Sequence, residues 1–210
     1  VYDEVLSFAI GITQKEEGHI GKKRMRYWSA LSLLRGVMSS PAAGVEMLNN
    51  KILQKDEIET EYDSNPILDD DFNVKDYAPL DVLEKTDWTS NEKTALKKLA
   101  DSLGQLQNIN DDWKISYTAE IIKEWIAKGF NTIIFCRYIA TANYVGEMLK
   151  SELLKIDKDI NVQVITSEDP DEVRKIRIED MHSSTKKVLI ATDCLSEGIN
   201  LQDQFTAVLH

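Results

Sequence analysis

The chain has 210 residues, 42% of them hydrophobic and 29% charged, with a formal net charge of −11. That is enough for one domain with an accessory region or for two small domains, and four prolines with nine glycines exclude a collagen-like or linker-dominated chain. The longest apolar runs are too short to span a bilayer.

The opening VYDEVLSFAI lacks the basic region and small-residue cleavage site of a secretory signal. Two cysteines, Cys136 and Cys194, make neither a disulfide framework nor a zinc site, so a reducing cytoplasm is the expected location. His19, His182 and His210 lack metal-ligand spacing, and no metal site is expected. A first residue of Val and a last residue directly after an apolar run lead us to expect a piece of a longer protein.

The charge is uneven. Residues 51–90 hold twelve acids against four lysines, a balance of −8, which leaves −3 for everything else. A strongly acidic chain argues against non-specific polyanion binding, which depends on basic groups releasing counterions. Here one segment carries most of that charge.

In chain order, residues 20–38 read as a helix with Met25, Trp28, Leu31, Leu34 and Met38 as its apolar face, and Lys22, Lys23, Arg24 and Arg26 crowd its first turns. Ser40 and Pro41 read as cap and first position of a second helix, to about Asn49, with Val45 and Leu48 on one face. Residues 54–88 lose periodicity, contain Pro66 and Pro79, and predict an acidic, flexible excursion. A helix from about Ser90 to Asn108 follows, with a stripe of Leu96, Leu99, Leu103 and Leu106. The expected division is a helical accessory region, 1–110, and a second region, 111–210.

From Asp111 the pattern sharpens. Residues 112–128 predict an amphipathic helix whose inward stripe is Trp113, Tyr117, Ile121 and Trp125, with Ile122 and Ile126 beside it, stopped by Gly129. NTIIFC, 131–136, is a strand, and a helix from about Thr141 to Leu154 presents Val145, Leu149 and Leu153 inward. INVQVIT, 160–166, is a second strand. Asp169, Pro170 and Glu172 then read as cap, first position and reciprocal acid of a helix carrying Val173, Ile176 and Met181. KKVLIAT, 186–192, and TAVLH, 206–210, complete four strands. Alternating helices and apolar strands predict an α/β parallel sheet with helices on both faces, preceded by a mostly helical region and cut short at its C-terminal end.

Ligands of such sheets sit beyond the carboxyl ends of the strands. The third strand runs into Ala191-Thr192-Asp193-Cys194-Leu195-Ser196-Glu197-Gly198-Ile199-Asn200-Leu201-Gln202, a cluster of short polar side chains around one glycine. Thr192 and Ser196 can donate to phosphate oxygens, Gly198 permits close backbone approach, and Asp193 and Glu197 can orient a basic group or a water.

ATDCLSEGINLQ resembles motif V of superfamily 2 helicases, closest to the bacterial Swi2/Snf2-like branch. NTIIFCRYIATANYVGEML resembles motif IV, which opens the second RecA-like lobe, and LSLLRGVMSSPAAGVEML resembles the segment preceding that lobe. The resemblance implies part of the second RecA-like lobe of an ATP-dependent DNA helicase or translocase. It places Thr192 and Asp193 at the tracking-strand backbone, with Arg137 and Ser167 as phosphate contacts. Glu197, Gly198 and Asn200 would lie toward the nucleotide.

ATP, Mg²⁺ and double-stranded DNA are implied for the parent protein together with the first RecA-like lobe. No tightly bound cofactor and no membrane partner are expected here. The phosphate-cradling GxxxxGK[ST] loop is absent from all 210 residues, and so is an acidic metal-holding motif on a strand. No complete catalytic set is therefore expected in the chain, since phosphoryl transfer needs cradle, metal and charge-neutralising arginine together. An incomplete sheet edge predicts self-association, or disorder near Val208. The alternatives are a protein-binding or regulatory module using the helical half, and a small α/β enzyme for another phosphorylated ligand.

Overall fold

The computed structural model describes residues 1–14, 20–53, 88–192, 195 and 200–210. The chain divides into two compact units, Val1–Gln105 and Leu106–His210.

The first unit is helical: α1 (Tyr2–Thr13), α2 (Ile20–Ser39), α3 (Pro41–Leu53) and α4 (Ser90–Gly104). The sequence reading contained no counterpart of α1, which buries Val5, Ala9 and Ile12. Ala9 and Ile12 pack with Ala30 of α2, beside Phe8, Leu34 and Trp88. Ser40 caps α3 through its hydroxyl, which accepts from the Ala43 N–H at 3.0 Å. Gly36 of α2 lets Met47 of α3 press onto the helix backbone, and Gly44 of α3 does the same for Val37 and Leu103.

The start of α4 is a reciprocal cap. Thr89 Oγ1 accepts from Glu92 N–H, and the Glu92 carboxylate accepts from Thr89 N–H at 2.8 Å. Glu92 also pairs with Arg26 of α2 at 2.9 Å, and both side chains are largely buried. The Leu96, Leu99 and Leu103 stripe is inward as expected, but α4 ends at Gly104 rather than near Asn108. The acidic excursion over residues 54–88 lies outside the described residues except for its last position.

In the second unit Asp112 caps α5 (Trp113–Ala127), accepting from the N–H groups of Lys114 at 3.0 Å and Ile115 at 3.4 Å. Gly129, at φ +84°, ends it. The Gly129 N–H donates to Ile126 O and the Phe130 N–H to Trp125 O, which satisfies two terminal carbonyls.

The strands are β1 (Thr132–Phe135), β2 (Asn161–Ile165), β3 (Lys187–Ala191) and β4 (Ala207–Leu209), joined by α6 (Ile139–Leu153) and α7 (Asp171–Asp180). All pairings are parallel, in the order β2-β3-β1-β4, with Phe135 opposite Ala191 and Ala191 opposite Ile165. Helices cover both faces. On one, Gly146 of α6 sits hard against Val164 of β2. On the other, Ile133, Ile165, Leu189 and Ala191 pack with Ile178 of α7 and with Met181 just beyond it. Strand residues alternate between the faces, and every residue of the central β3 is buried.

Three helix faces differ from expectation. In α5 the inward residues are Ile115, Ala119, Ile122 and Ile126, while Trp113 is 68% and Tyr117 59% exposed. A sheet accepts a helix at close range through small and β-branched side chains, and that selects the Ile/Ala stripe over the aromatic one. In α2, Trp28 and Met38 point outward, and Ser29, Ala30, Leu33 and Val37 are buried. In α7, Val173 and Ile176 are exposed and Ile178 is buried. Its half-buried arginines pair with acids, Arg174 with Asp171 and Arg177 with Asp169.

Asp169 is also not the cap of α7. Its carboxylate accepts from Thr166 N–H at 3.1 Å and from Arg177 at 3.0 Å, and Pro170 occupies the cap position.

Candidate nucleic-acid interface

Parallel pairing puts the carboxyl ends of all four strands at one edge of the sheet. Along that edge the segment after β1 carries Cys136 and Arg137, the segment after β3 begins with Thr192, and the segment after β2 carries Thr166 and Ser167. The three segments are stitched together by backbone. The Cys136 N–H donates to Ala191 O at 2.7 Å and the Thr192 N–H to Ile165 O at 3.3 Å. From β1 the chain turns toward β2, whereas from β3 it crosses to β4 on the far side of β1. The gap between the ends of β1 and β3 is thus the topological switch point, where sheets of this class take ligands.

The expected site residues divide by exposure. Arg137 and Ser167 are exposed, one on each side of the β3 end. Thr192 is fully buried, so its side chain is not presented to solvent. Asn200 is exposed but engaged in a local turn, its amide donating to Asp203 at 2.9 Å and its carbonyl oxygen accepting from Gln202 N–H at 3.2 Å. Asp193, Glu197 and Gly198 lie outside the described residues. Leu195 is buried in the cluster that holds Phe205, Ile178 and Met181.

Donors at this edge come from backbone as well as side chains. α6 starts immediately after Arg137, and its cap residue Tyr138 makes no side-chain cap hydrogen bond. The first N–H groups of a helix have no intrahelical acceptors and carry the positive end of its dipole. The Tyr138 hydroxyl is buried without a hydrogen-bond partner. Sequence reading missed this cap, although an aromatic residue ahead of a helix, where Ser, Thr, Asp or Asn is favoured, was a visible signal. The next loop is prearranged: the Thr166 hydroxyl accepts from Glu168 N–H at 3.3 Å, and Asp169 holds Thr166 N–H and Arg177 together.

Two features lie away from this edge. Lys187, at the opposite end of β3, is only 4% exposed, with its ammonium 3.5 Å from Gln204 Oε1. Burial holds its pKa below the usual lysine value. The exposed side of α5 forms a depression of about 420 Å³ lined by Asn110, Trp113, Ser116, Tyr117 and Glu120. Among the described residues no cluster of His, Cys, Asp or Glu could hold a metal ion, and no helix is long and apolar enough to cross a membrane.

The family model of the helicase conserved C-terminal domain matches residues 113–209, from the start of α5 to the end of β4. Comparisons with curated proteins and with solved structures gave no match.

Proposed function

From the helicase C-terminal domain matched over residues 113–209, we propose that this chain supplies part of the second motor lobe of a Swi2/Snf2-like helicase or translocase acting on double-stranded DNA. Arg137, Ser167 and the first N–H groups of α6 contact the phosphate backbone. The loop from Thr192 to Asn200 couples that contact to a nucleotide held by a first lobe. Buried Thr192 acts from beneath, fixing where the loop leaves the sheet, and the resemblance assigns Asp193 to contact with the nucleic-acid backbone.

The observation that carries this reading is the convergence of the 137, 167 and 192 positions on the switch point of a sheet lying wholly within the matched domain. Backbone N–H groups and one guanidinium suit phosphate, and they carry no sequence information.

The residues present do not by themselves fit ATP and Mg²⁺. The phosphate cradle is absent from the sequence, and the described residues hold no metal-ligand cluster. Glu197, Gly198 and Asn200 would contribute at most one wall, and Asn200 would have to leave its turn to do so. ATP and Mg²⁺ are therefore assigned to a first lobe, and the chain alone should turn over no ATP.

The test is binding of a fluorescein-labelled DNA duplex by the chain, followed by anisotropy across a salt series. Arg137→Ala should weaken binding and reduce the log–log salt slope by about 0.9, the share of one phosphate contact. Unchanged affinity and slope would remove Arg137 from the interface.

A second reading, docking of a partner protein, is favoured by the depression on α5. Trp113, Tyr117 and Glu120 there can receive a basic side chain through ring faces and a carboxylate. Trp113→Ala abolishing capture of a lysine- or arginine-rich peptide would support it, and capture unaffected by that change would dismiss it.

A further inference from the structure

We infer that the exposed face of α2 binds a single strand of nucleic acid, its cations taking phosphates and its two aromatic rings taking bases. This site lies in the other compact unit and does not rest on the Arg137 edge.

The first observation is composition. Between Ile20 and Ser39 there are five cations, Lys22, Lys23, Arg24, Arg26 and Arg35, and no acid, in a chain whose net charge is −11. A helix surface that merely keeps a protein soluble mixes both signs, and its acids favour the first turn, where α2 has none. Four of these cations crowd the N-terminal part of α2, where they oppose the helix dipole, so their placement does not stabilise the helix itself.

The second observation is the division of faces. At 100° per residue, Lys23, Tyr27, Met38, Leu31, Arg24, Arg35 and Trp28 fall within an arc of about 140°. The structure exposes Lys23, Arg24, Tyr27, Trp28, Arg35 and Met38 and leaves Leu31 half-buried. The buried arc holds Ser29, Ala30, Ser32, Leu33, Gly36 and Val37. Small side chains therefore face the neighbouring helices while the largest rings face outward, Tyr27 at 56% and Trp28 at 41% exposure. Burial within the unit accounts for the small residues but not for the rings.

The third is the arrangement along the stripe. Arg26 is turned away and spent on Glu92. On the outward face, Lys23 and Arg24 stand at one end and Arg35 at the other, about 18 Å apart at 1.5 Å per residue. Tyr27 and Trp28 lie between them, with ring centroids 6.0 Å apart and planes at 79°. Cations flanking two exposed rings are the components that hold an unpaired strand: positive groups follow the backbone and the π-faces receive bases. A duplex keeps its bases stacked and out of reach of such rings, so the site selects the single strand. A strand of DNA and one of RNA share this chemistry.

The experiment uses the whole 210-residue chain, titrated at low salt into fluorescein-labelled oligo(dT) and, in parallel, oligo(rU), then repeated across a salt series. Three double variants are compared, each at exposed positions that leave the buried arc intact: Arg24→Ser with Arg35→Ser, Tyr27→Ser with Trp28→Ser, and Lys97→Ser with Lys98→Ser on α4 as the control for lost charge. The arginine pair should reduce the log–log salt slope by about 1.4, two single-strand phosphate contacts. The ring pair should weaken binding about fivefold or more with the slope unchanged.

Binding of oligo(dT), oligo(rU) or both with these effects supports the site. Ring variants that bind as the wild type would overturn it, as would a control pair that loses as much as the arginine pair. Displacement of the strand by poly-glutamate as readily as by unlabelled oligo(dT) would overturn it in favour of an acidic protein partner. Arg137→Ala with a duplex reports on the other edge, so either site can fail without the other.

Discussion

Asp112 is a single carboxylate on which two helices depend, and Asp112→Ala is the most informative stability test of the second unit. One oxygen caps α5 by accepting from the Lys114 and Ile115 N–H groups. The other accepts from the Tyr144 hydroxyl of α6 at 3.1 Å, within a buried contact. Loss of such a cap costs about 0.5–2 kcal/mol, and loss of a buried neutral-to-charged hydrogen bond about 1.5–3 kcal/mol. Because the two losses share one group and the site relaxes, we expect about 2–4 kcal/mol in all. Asp112→Asn keeps an acceptor at the cap and should cost clearly less than the alanine change. Tyr144→Phe should cost less once Asp112 is alanine than in the wild type, a coupling of about 1 kcal/mol or more. Urea unfolding followed by tryptophan fluorescence reads this unit through Trp113 and Trp125 once Trp28 and Trp88 of the first unit are replaced by phenylalanine, with the slope of the transition checked for constancy. An Asp112→Ala midpoint indistinguishable from wild type, or a Tyr144→Phe cost equal in both backgrounds, would refute the bridge.

Lys187 should make alkaline pH stabilising. Its pKa is lowered in the fold by burial, so between that value and the unfolded one, about 10.4, the unfolded chain binds more protons and stability rises with pH. Lys187→Met should raise stability near neutral pH and flatten that rise, which urea midpoints from pH 7 to 10 would measure; an unflattened profile contradicts it. Glu152 is shifted in the same direction for a different reason: hydrogen bonds from Lys155 and Lys123 favour its charged form and lower its pKa, so its contribution is present above the unfolded glutamate pKa and lost as pH falls through the folded one. Glu152→Gln should cost about 0.2–1 kcal/mol, less at high salt, and a cost that grows with salt would be inconsistent. Gly146→Ala should destabilise despite the better helix propensity of alanine, because a Cβ there overlaps Val164. Combining it with Val164→Ala should recover part of the loss, and a stabilised single variant would show that the helix is not pressed on the sheet.

The strands were readable because each is a short apolar run between turn residues, and the register only had to join them. Helix existence was readable too, and α1 follows the same rule, with Val5, Ala9 and Ile12 at helical spacing, although no helix was expected there. Helix orientation was not. In α2, α5 and α7 the reading took the largest apolar residues as the inward face, whereas close packing selected Ala30, Ala119 and Gly36 and left Trp28, Trp113 and Ile176 outside. The Thr89–Glu92 capping pattern was present in the sequence and overlooked. The Asp112–Tyr144 bond spans 32 residues and the Arg26–Glu92 pair 66, and no local periodicity announces either. At the candidate site, motif order placed 137, 167 and 192 at strand ends, but the burial of Thr192 and the local turn at Asn200 follow only from the folded loop.

The central claim is that a nucleic-acid backbone runs along the carboxyl edge of the sheet. Amide chemical shifts of the isotope-labelled chain, recorded while a DNA duplex is titrated in, test it most directly. The account predicts the largest shifts at residues 137–141, 166–169 and around 192, with Lys187 and Asn131 at the opposite edge unchanged. Shifts concentrated at that opposite edge, or none in the second unit at saturating duplex, would contradict it.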